Sequence, residues 1–400
     1  MLLGILLVAG TASGILYYAW PQAGVRWQEF FDRALVTPDD ALVARAHDRL
    51  WAGRLEGSGG AIETFVTALR RDPASPYRWC ELGEALLEAG RIDQARYCFR
   101  RGVTLGSGTP SVLMRAANFH FRLGENPAAL AYTIRVLEMT PEFDYVIFSS
   151  YSRLGVSVEE ALARGVPQDR RAAQAFLRYL IEQGALAGAE PVWRWALEHA
   201  FVDDRLAADY AGFLLTQRQH EAALQAWAAH FGPRSPGFPQ ANRLFNAGFE
   251  SDLTGATFDW RFERLAGVEV ERDNSTSAVG RWSLRVRFEG LENLSFQHVS
   301  QRAVVHPGPW RLAAQVRTSE LTTDQGIGFQ IIDAEAPGRL DVKSARWLGT
   351  RDWTKVGFGF TIPERTRLVE VRLVREASLK FDNKIRGTAW IDEVRLAPVR

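Results

Sequence analysis

The residues that could carry out chemistry in this sequence are few and scattered. Two acidic pairs, Glu159-Glu160 and Asp203-Asp204, lie in the helix-rich half and are typical of solvated helix faces or helix starts. Hydrolysis by two carboxyl groups requires that they lie on opposite sides of the substrate. Adjacent residues on one helix do not indicate such an arrangement. The seven His residues show no ligand spacing, and the phosphate-loop, nucleophile-elbow, H-E-x-x-H and C-x-x-C motifs are absent. The sequence therefore favours a binding protein over an enzyme.

The cysteine content and the net charge argue against further kinds of site and partner. Cys80 and Cys98 are the only cysteines, too few for a Cys-based zinc site or a disulfide framework. Two buried free thiols are expected, and a bridge between facing helices in an oxidising compartment stays open. The chain has 48 Lys+Arg against 47 Asp+Glu, so its charge gives no argument for nucleic acid as a partner. Its 400 residues exceed one compact core and predict several domains.

The first twenty residues, MLLGILLVAGTASGILYYAW, carry no charge. As a helix they would be about 30 Å long, which matches the hydrocarbon core of a bilayer. Tyr17, Tyr18 and Trp20 lie where an interfacial aromatic belt belongs, and Pro21 interrupts the helix. The sequence predicts a transmembrane anchor at 1–21 with the lipid bilayer as partner, followed by a juxtamembrane segment at 22–37. A cleaved signal peptide and a buried helix are the alternatives, and the orientation stays open.

Small and bulky apolar residues recur at a 34-residue step through the first half. Two antiparallel helices approach closely only where a small residue stands at their crossing, and proline then ends the second helix. The stretch WCELGEALLEAGRIDQARYCFRRG (79–102) resembles the tetratricopeptide repeat, W-x2-L-G-x2-Y…A-x3-F…P with a period of 34, although Leu86 replaces the Tyr. Residues in phase are Ala61, Ala95 and Ala129, Phe65 and Phe99, Pro73 and Pro141, Ala189 and Ala223, and Trp193 and Trp227.

The resemblance implies an α-solenoid of helix pairs at 38–231 whose concave groove binds a protein partner without chemistry. One unit between Ala129 and Ala189 is short, and residues 150–165 fit a truncated hairpin there. The candidate groove residues on first-helix faces, each of which would otherwise be a solvated helix position, are Asn118, His120, Arg122, Arg153 and Arg178.

The sequence pattern changes after residue 231. Three prolines within seven residues predict a Pro-rich linker at 232–242, because no helix tolerates them internally. Apolar and polar residues then alternate with period two in segments 282–288, 310–318, 353–362, 368–374 and 389–397. The overall prediction is a multidomain α + β chain that ends in an antiparallel β-sandwich at 243–400.

Five segments of the C-terminal region, taken in order, resemble carbohydrate-binding modules of the family 4/9 type, which have a galactose-binding-like jelly roll. They are LFNAGFES (244–251), GRWSLRV (280–286), VHPGPWRLAAQVRT (305–318), RDWTKVGFGFTIP (351–363) and AWIDEVRL (389–396). The resemblance implies glycan binding without turnover, in which aromatic rings stack on a pyranose and polar groups satisfy its hydroxyls.

The resemblance also sorts the candidate glycan-binding residues. Trp282, Trp310, Trp353 and Trp390 occupy motif positions that the family uses as core. Trp347, in KSARWLG, lies outside the motifs and is therefore the preferred stacking platform. Further candidates, which alternate outward on neighbouring predicted strands, are Phe296, Gln297, Gln315, Arg317 and Gln330.

Many relatives hold a structural calcium ion, and the matching positions here are Glu250 and Asp392. Carboxylates from the first and last strands could share this cation with main-chain carbonyl groups. The alternative is that both residues are surface charges or turn acceptors. No other cofactor is required.

Together these features predict a membrane-anchored scaffold on the periplasmic side of a bacterial inner membrane. It would bind a protein partner through its helices and a polysaccharide or oligosaccharide through its sandwich, in assembly or export of an exopolysaccharide or cell-envelope glycan. The alternatives are a glycan-active hydrolase or lyase, because distant strands could still bring two carboxylates together, and a structural module that binds no glycan.

Overall fold

The computed structural model describes residues 59–399. The predicted membrane anchor (1–21), the juxtamembrane segment (22–37) and the start of the predicted repeat array lie outside them. Among residues 59–399, no helix is both long and apolar enough to cross a bilayer. The chain divides into two compact units, the first ending at Pro167 and the second beginning at Gln168. This division falls within the predicted repeat array and not at the predicted linker.

The first unit is helical. Its helices are α1 (Gly59–Arg71), α2 (Pro76–Glu88), α3 (Ile92–Leu105), α4 (Pro110–Arg122), α5 (Asn126–Met139) and α6 (Asp144–Leu154). Short helical turns at Val158–Glu160 and Ala161–Gly165 follow α6, where the sequence predicted a truncated hairpin. Gly90 and Gly124 end α2 and α4 with a φ of +72°, a left-handed conformation that favours glycine.

Small residues lie where α2 and α3 pack together. A Cβ atom on Gly83 would lie 3.0 Å from the Phe99 ring, and one on Gly102 would lie 3.0 Å from Cys80 Sγ. Ala95 is fully buried in the same core. These contacts supply the steric reason for the small residues in the repeated pattern. Membership of the tetratricopeptide family stays a prediction.

Both cysteines are buried free thiols. Burial raises the pKa of Cys80 to about 12 and that of Cys98 to about 11. Each thiol is therefore protonated and unreactive at neutral pH.

The second unit begins with four helices, α7 (Arg170–Glu182), α8 (Leu186–Glu198), α9 (Asp204–Thr216) and α10 (His220–Phe231). Asp169 and Asp203 cap α7 and α9, since their Oδ1 atoms accept hydrogen bonds from Ala172 N (2.9 Å) and Leu206 N (2.8 Å). The acidic pair at 203–204 is thus a helix start.

The segment that joins α10 to the sandwich is packed. Trp227 on α10 stacks on Phe231 with 4.1 Å between ring centroids and meets the Phe245 ring edge-on at 5.6 Å. Asn242 Nδ2 donates to Val394 O at 2.9 Å, which ties residues 232–242 to the last strand. Helices α7–α10 and the sandwich therefore belong to one compact unit.

The sandwich consists of two antiparallel five-stranded sheets. Its strands are β1 (Arg261–Phe262), β2 (Val268–Asp273), β3 (Ser283–Glu289), β4 (Phe296–Val304), β5 (Gly308–Leu321), β6 (Gly328–Asp333), β7 (Asp341–Lys343), β8 (Gly349–Ile362), β9 (Leu368–Arg375) and β10 (Arg386–Pro398). The first sheet has the order β1-β4-β9-β6-β7 and the second β2-β3-β10-β5-β8. The five segments with period-two alternation are confirmed as β3, β5, β8, β9 and β10. Trp260, Trp310 and Phe249 lie in the core between the sheets.

Candidate functional site

Two predicted glycan-binding residues belong to the core, so those predictions were wrong. Trp347 is only 6% exposed, and its ring packs edge-on against Phe329 with centroids 5.5 Å apart. Its main-chain N–H donates to Ile327 O at 2.8 Å and forms an isolated β-bridge just before β6. This bridge holds the Trp347 ring beneath the first sheet. Phe296 is 1% exposed and packs against Phe288. Neither ring can stack on a sugar.

The other four predicted residues lie on opposite sides of the sandwich. Gln297 on β4 and Gln330 on β6 are on the outer face of the first sheet, whereas Gln315 and Arg317 on β5 are on the outer face of the second. Strand β4 belongs to the first sheet and β5 to the second, so outward residues on these two strands face apart.

One row of polar side chains crosses the whole outer face of the first sheet. Arg372 on β9 lies opposite Gln330 on one side and Ser300 on the other. Ser300 lies opposite Arg261, and Gln330 lies opposite Lys343. Directly opposed residues in antiparallel strands share a face and are close neighbours. We call these five residues the polar row.

Hydrogen bonds connect the polar row to its neighbours. Arg372 Nε donates to Glu370 Oε1 at 2.8 Å, and its Nη1 donates to Gln297 Oε1 at 3.4 Å. Gln330 Nε2 donates to Asp341 Oδ1 at 2.7 Å. Val304, Leu368 and Ile332, at one end of this face, are buried, and α10 packs against β4.

The polar row keeps hydrogen-bonding capacity for a ligand. A guanidinium group has five N–H donors, of which Arg372 uses two in these bonds. An amide offers two donors and one acceptor, and the bonds above engage one atom each of Gln297 and Gln330. Gln297 and Lys343 are exposed, and Arg372 keeps 25% of its side-chain surface in solvent. The arrangement can donate to and accept from several hydroxyl groups at once.

The sequence predicted Gln297 and Gln330 as candidates but not Glu370 and Arg372, which lie beside them. Glu370 and Arg372 are the polar positions of LVEVRLV, a segment that the alternation correctly marked as a strand. Their outward direction could have been read from that pattern. Their nearness to Gln330 could not, because it depends on the pairing of β9 with β6.

The outer face of the second sheet also carries polar and aromatic side chains. Trp390 on β10 donates its indole N–H to Asp273 Oδ2 at 2.8 Å. The Arg317 guanidinium lies over the Trp390 ring, 5.5 Å from its centroid, and donates to Thr276 Oγ1 at 2.9 Å. Arg285, opposite Trp390 on β3, pairs with Glu271. An arginine therefore covers one face of this tryptophan.

The predicted groove residues are mostly engaged with nearby helix residues. Asn118 is exposed on α4. Three arginines contact nearby side chains: Arg122 Nη2 lies 2.6 Å from Glu88 Oε1, Arg153 Nη2 donates to Ser150 Oγ at 3.3 Å, and Arg178 Nη2 donates to Gln174 Oε1 at 3.4 Å. Arg178 belongs to the second unit and the others to the first. Their binding role stays a prediction.

His120 takes part in a compact cluster at the end of α4. Its Nδ1 lies 2.6 Å from Glu125 Oε2, and its ring stacks on Tyr132 with centroids 5.5 Å apart. Arg96 donates to both Glu125 oxygens, at 2.9 and 2.6 Å. The hydrogen bonds from Arg96 and then from His120 lower the pKa of Glu125 to about 2. His120 therefore links neighbouring helices.

Glu250 and Asp392, the predicted calcium ligands, bind one loop. Glu250 Oε1 and Asp392 Oδ2 each accept two hydrogen bonds from main-chain N–H groups of residues 278–282, at 2.8 and 3.0 Å. Asp392 is fully buried, and this burial raises its pKa to about 6. No cluster of three His, Cys, Asp or Glu side chains suited to a metal ion occurs within residues 59–399. A calcium ion here would need main-chain oxygens as further ligands and stays a prediction.

No protein-family model matches this chain, and no curated protein sequence does so either. Among solved structures it is similar to a xylan-binding CBM22 domain from Paenibacillus barcinonensis, with 16% identity over 38% of this chain and 92% of that one and a TM-score of 0.27. A family 16 carbohydrate-binding module matches with 17% identity over 39% of this chain and 99% of that one, at a TM-score of 0.28.

A third similar structure is the type III secretion translocator chaperone SycD from Yersinia enterocolitica. It has 20% identity over 29% of this chain and 87% of that chain, with a TM-score of 0.26. At these TM-scores the similarities carry no functional argument.

Proposed function

We propose that this chain is a non-catalytic scaffold whose β-sandwich binds a glycan across the polar row. The observation that carries this proposal is the hydrogen-bonded polar face that spans β4, β9, β6 and β7, with amide and guanidinium groups still open to solvent. Sugars present many hydroxyl groups, each both donor and acceptor, and amides and guanidinium groups match them.

The internal hydrogen bonds of the polar row favour binding because they hold its side chains in place. Arg372 is fixed by Glu370 and Gln297, and Gln330 is fixed by Asp341, so less side-chain freedom is lost when a ligand arrives. A small, solvated contact of this kind gives dissociation constants in the μM–mM range, roughly −4 to −8 kcal/mol. Several weak contacts along a polymer would add through avidity.

The scaffold role rests on the remaining parts of the chain. The uncharged residues 1–20 support a single-pass anchor in a bacterial inner membrane, and the 34-residue pattern supports a helical surface for a protein partner. A glycan-binding module on such a tether suits the assembly or export of an exopolysaccharide or cell-envelope glycan. In this proposal the sandwich holds the glycan and does not cleave it.

A glycan array probed with the purified full chain tests the proposal, followed by titration of the strongest hit. Arg372→Ala is expected to weaken binding by about 10- to 100-fold, because it removes charge-assisted hydrogen bonds. Arg285→Ala is the matched control, because this arginine lies mid-strand on the opposite face with 29% of its side chain exposed. Equal affinity of Arg372→Ala and wild type would refute the proposed site, and new reducing ends after incubation would refute the non-catalytic role.

A further inference from the structure

The loop between β9 and β10 exposes two large apolar side chains. Leu379 is 101% exposed and Phe381 is 104% exposed, so neither packs against the rest of the protein. Within residues 59–399, Phe381 is the only fully exposed aromatic ring of the sandwich. The Phe381 ring contributes nothing to the core and is accessible to a ligand.

A buried arginine holds the base of this loop. Arg375, the last residue of β9, is 1% exposed. It donates from Nε to Gln325 O at 3.2 Å, from Nη1 to Asn293 Oδ1 at 3.0 Å and to Leu294 O, and from Nη2 to Asn383 O at 2.8 Å. One side chain thus connects three loops at the same end of the sandwich.

Ser378 fixes the loop just before its exposed tip. Its main-chain N–H donates to Asn293 Oδ1 at 2.9 Å, and its carbonyl accepts from Asn293 Nδ2 at 2.8 Å. Its hydroxyl donates to Asp324 Oδ1 at 2.5 Å and accepts from Lys380 N at 3.0 Å. Phe381 therefore extends from a constrained base, which lowers the entropy lost when it binds.

The loop leaves the first sheet at the edge of the polar face. Glu370 and Arg372 are outward residues of β9, and the same alternation places Glu376 at the end of that side. Glu376 pairs with Lys343 of the polar row at 2.7 Å and with Arg346 at 2.5 Å. A ligand on the polar row can therefore continue toward the loop.

The charges around the tip favour a glycan over an anionic membrane. Lys380 and Lys384 are balanced by Asp382 and Glu292, and all four are exposed. A loop that binds acidic lipids would carry an excess of Lys and Arg. A single aromatic ring among carboxylate, ammonium and amide groups matches a sugar, which has an apolar ring face surrounded by hydroxyl groups.

We propose that Phe381, with Leu379 beside it, forms an outer subsite that stacks on a pyranose ring of a glycan chain whose preceding units occupy the polar row. This inference rests on the proposed function and deepens it, because it assigns the site to a polysaccharide of several units. On this proposal a short oligosaccharide occupies the polar row alone, whereas a longer chain also contacts the loop.

The test compares disaccharides and hexasaccharides of xylose, glucose and mannose on the full chain. Phe381→Ala is expected to weaken hexasaccharide binding by about tenfold and to leave disaccharide binding unchanged, with Phe381→Trp restoring the affinity. Val279→Ala, an exposed apolar residue on another loop, is the control. Because the Phe381 side chain is fully exposed, the melting temperature should not change.

Unchanged hexasaccharide affinity in Phe381→Ala, while Arg372→Ala weakens it, would overturn the outer subsite and leave the proposed function standing. If Arg372→Ala bound the hexasaccharide as tightly as wild type, both the outer subsite and the proposed function would be refuted. The Phe381→Ala variant is also compared with wild type for two other properties, namely the fraction bound to phosphatidylcholine–phosphatidylglycerol vesicles and the oligomeric state. If it changed either of these and not hexasaccharide binding, the ring would belong to a membrane or protein contact and the glycan subsite would be refuted.

Discussion

The two outer faces of the sandwich are both polar but differ in how their side chains are used. On the first sheet, Arg372 and Gln330 are positioned by hydrogen bonds and keep donors directed to solvent. On the second sheet, Arg317 covers the Trp390 ring and the indole N–H is bound to Asp273. The Trp390 ring and its N–H are thus engaged within the protein, although Arg317 itself keeps 41% of its side chain in solvent. The first sheet instead presents amide and guanidinium groups that hydrogen bonds hold in place.

Mutation of the core between the two faces should destabilise the sandwich more than mutation of either face. Trp347→Ala should lower the free energy of unfolding by about 3–5 kcal/mol, because it empties the space between the sheets. Trp390→Ala, on the second face, should cost about 1 kcal/mol through its hydrogen bond to Asp273. Urea unfolding of both variants measures the contrast. If the Trp347→Ala variant had wild-type stability but no longer bound glycan, Trp347 would be a binding residue and not part of the core.

The next effect concerns the loops at the end of the sandwich. Arg375→Met should cost about 3 kcal/mol, because it leaves the carbonyl groups of Leu294, Gln325 and Asn383 without their donor. Amide hydrogen exchange should quicken in all three loops together. Faster exchange in the β9–β10 loop alone would mean that Arg375 does not connect them.

A calcium ion shared by Glu250 and Asp392 would give the second sheet a structural role. If Glu250 and Asp392 share a calcium ion, calcium at about 100 times its Kd should add about 2.7 kcal/mol to the free energy of unfolding. The gain should fade as the pH falls below about 6, where Asp392 takes up a proton that competes with the metal. Glu250→Gln should abolish the response, which calorimetry would detect. An equal response of wild type and variant would exclude this site.

The smallest effect is the pH dependence of the second face. Burial raises the pKa of Asp273, but hydrogen bonds from Ser275 and Trp390 and the charge of Arg285 outweigh it and hold the pKa below its ordinary value of 3.8. A lowered folded pKa gives stability that is present above about pH 4 and lost as the pH falls through the folded value. Asp273→Asn should therefore cost about 1 kcal/mol at pH 7 and progressively less below pH 4. A constant difference down to pH 2 would contradict this.

The alternation of apolar and polar residues correctly marked β3, β5, β8, β9 and β10, because period two is a local property of a strand. It could not place Trp347, which lies outside any strand and is held by its bridge to Ile327 and its packing against Phe329. For Phe296, the register of β4 against β9 shifts between Phe296 and Val299, so alternation along β4 fails at that point.

Assembly of the candidate site depends on which strands are neighbours in the sheet. The local alternation of apolar and polar residues does not predict this order. Gln297 and Gln315 are eighteen positions apart in the chain yet lie on opposite faces, whereas Gln330 and Arg372 are directly opposed across two strands. Small residues at the helix crossings were predictable because their partners lie within one repeat, as with Gly83 and Phe99.

NMR signals of the arginine and glutamine side chains during hexasaccharide binding show which face of the sandwich holds the glycan. In ¹⁵N spectra of the full chain, the Nε resonance of Arg372 and the side-chain amides of Gln297 and Gln330 should shift together and saturate, and those of Arg285, Arg317 and Gln315 should not. Saturating shifts confined to Arg285, Arg317 and Gln315 would place the glycan on the second sheet and contradict binding across the polar row.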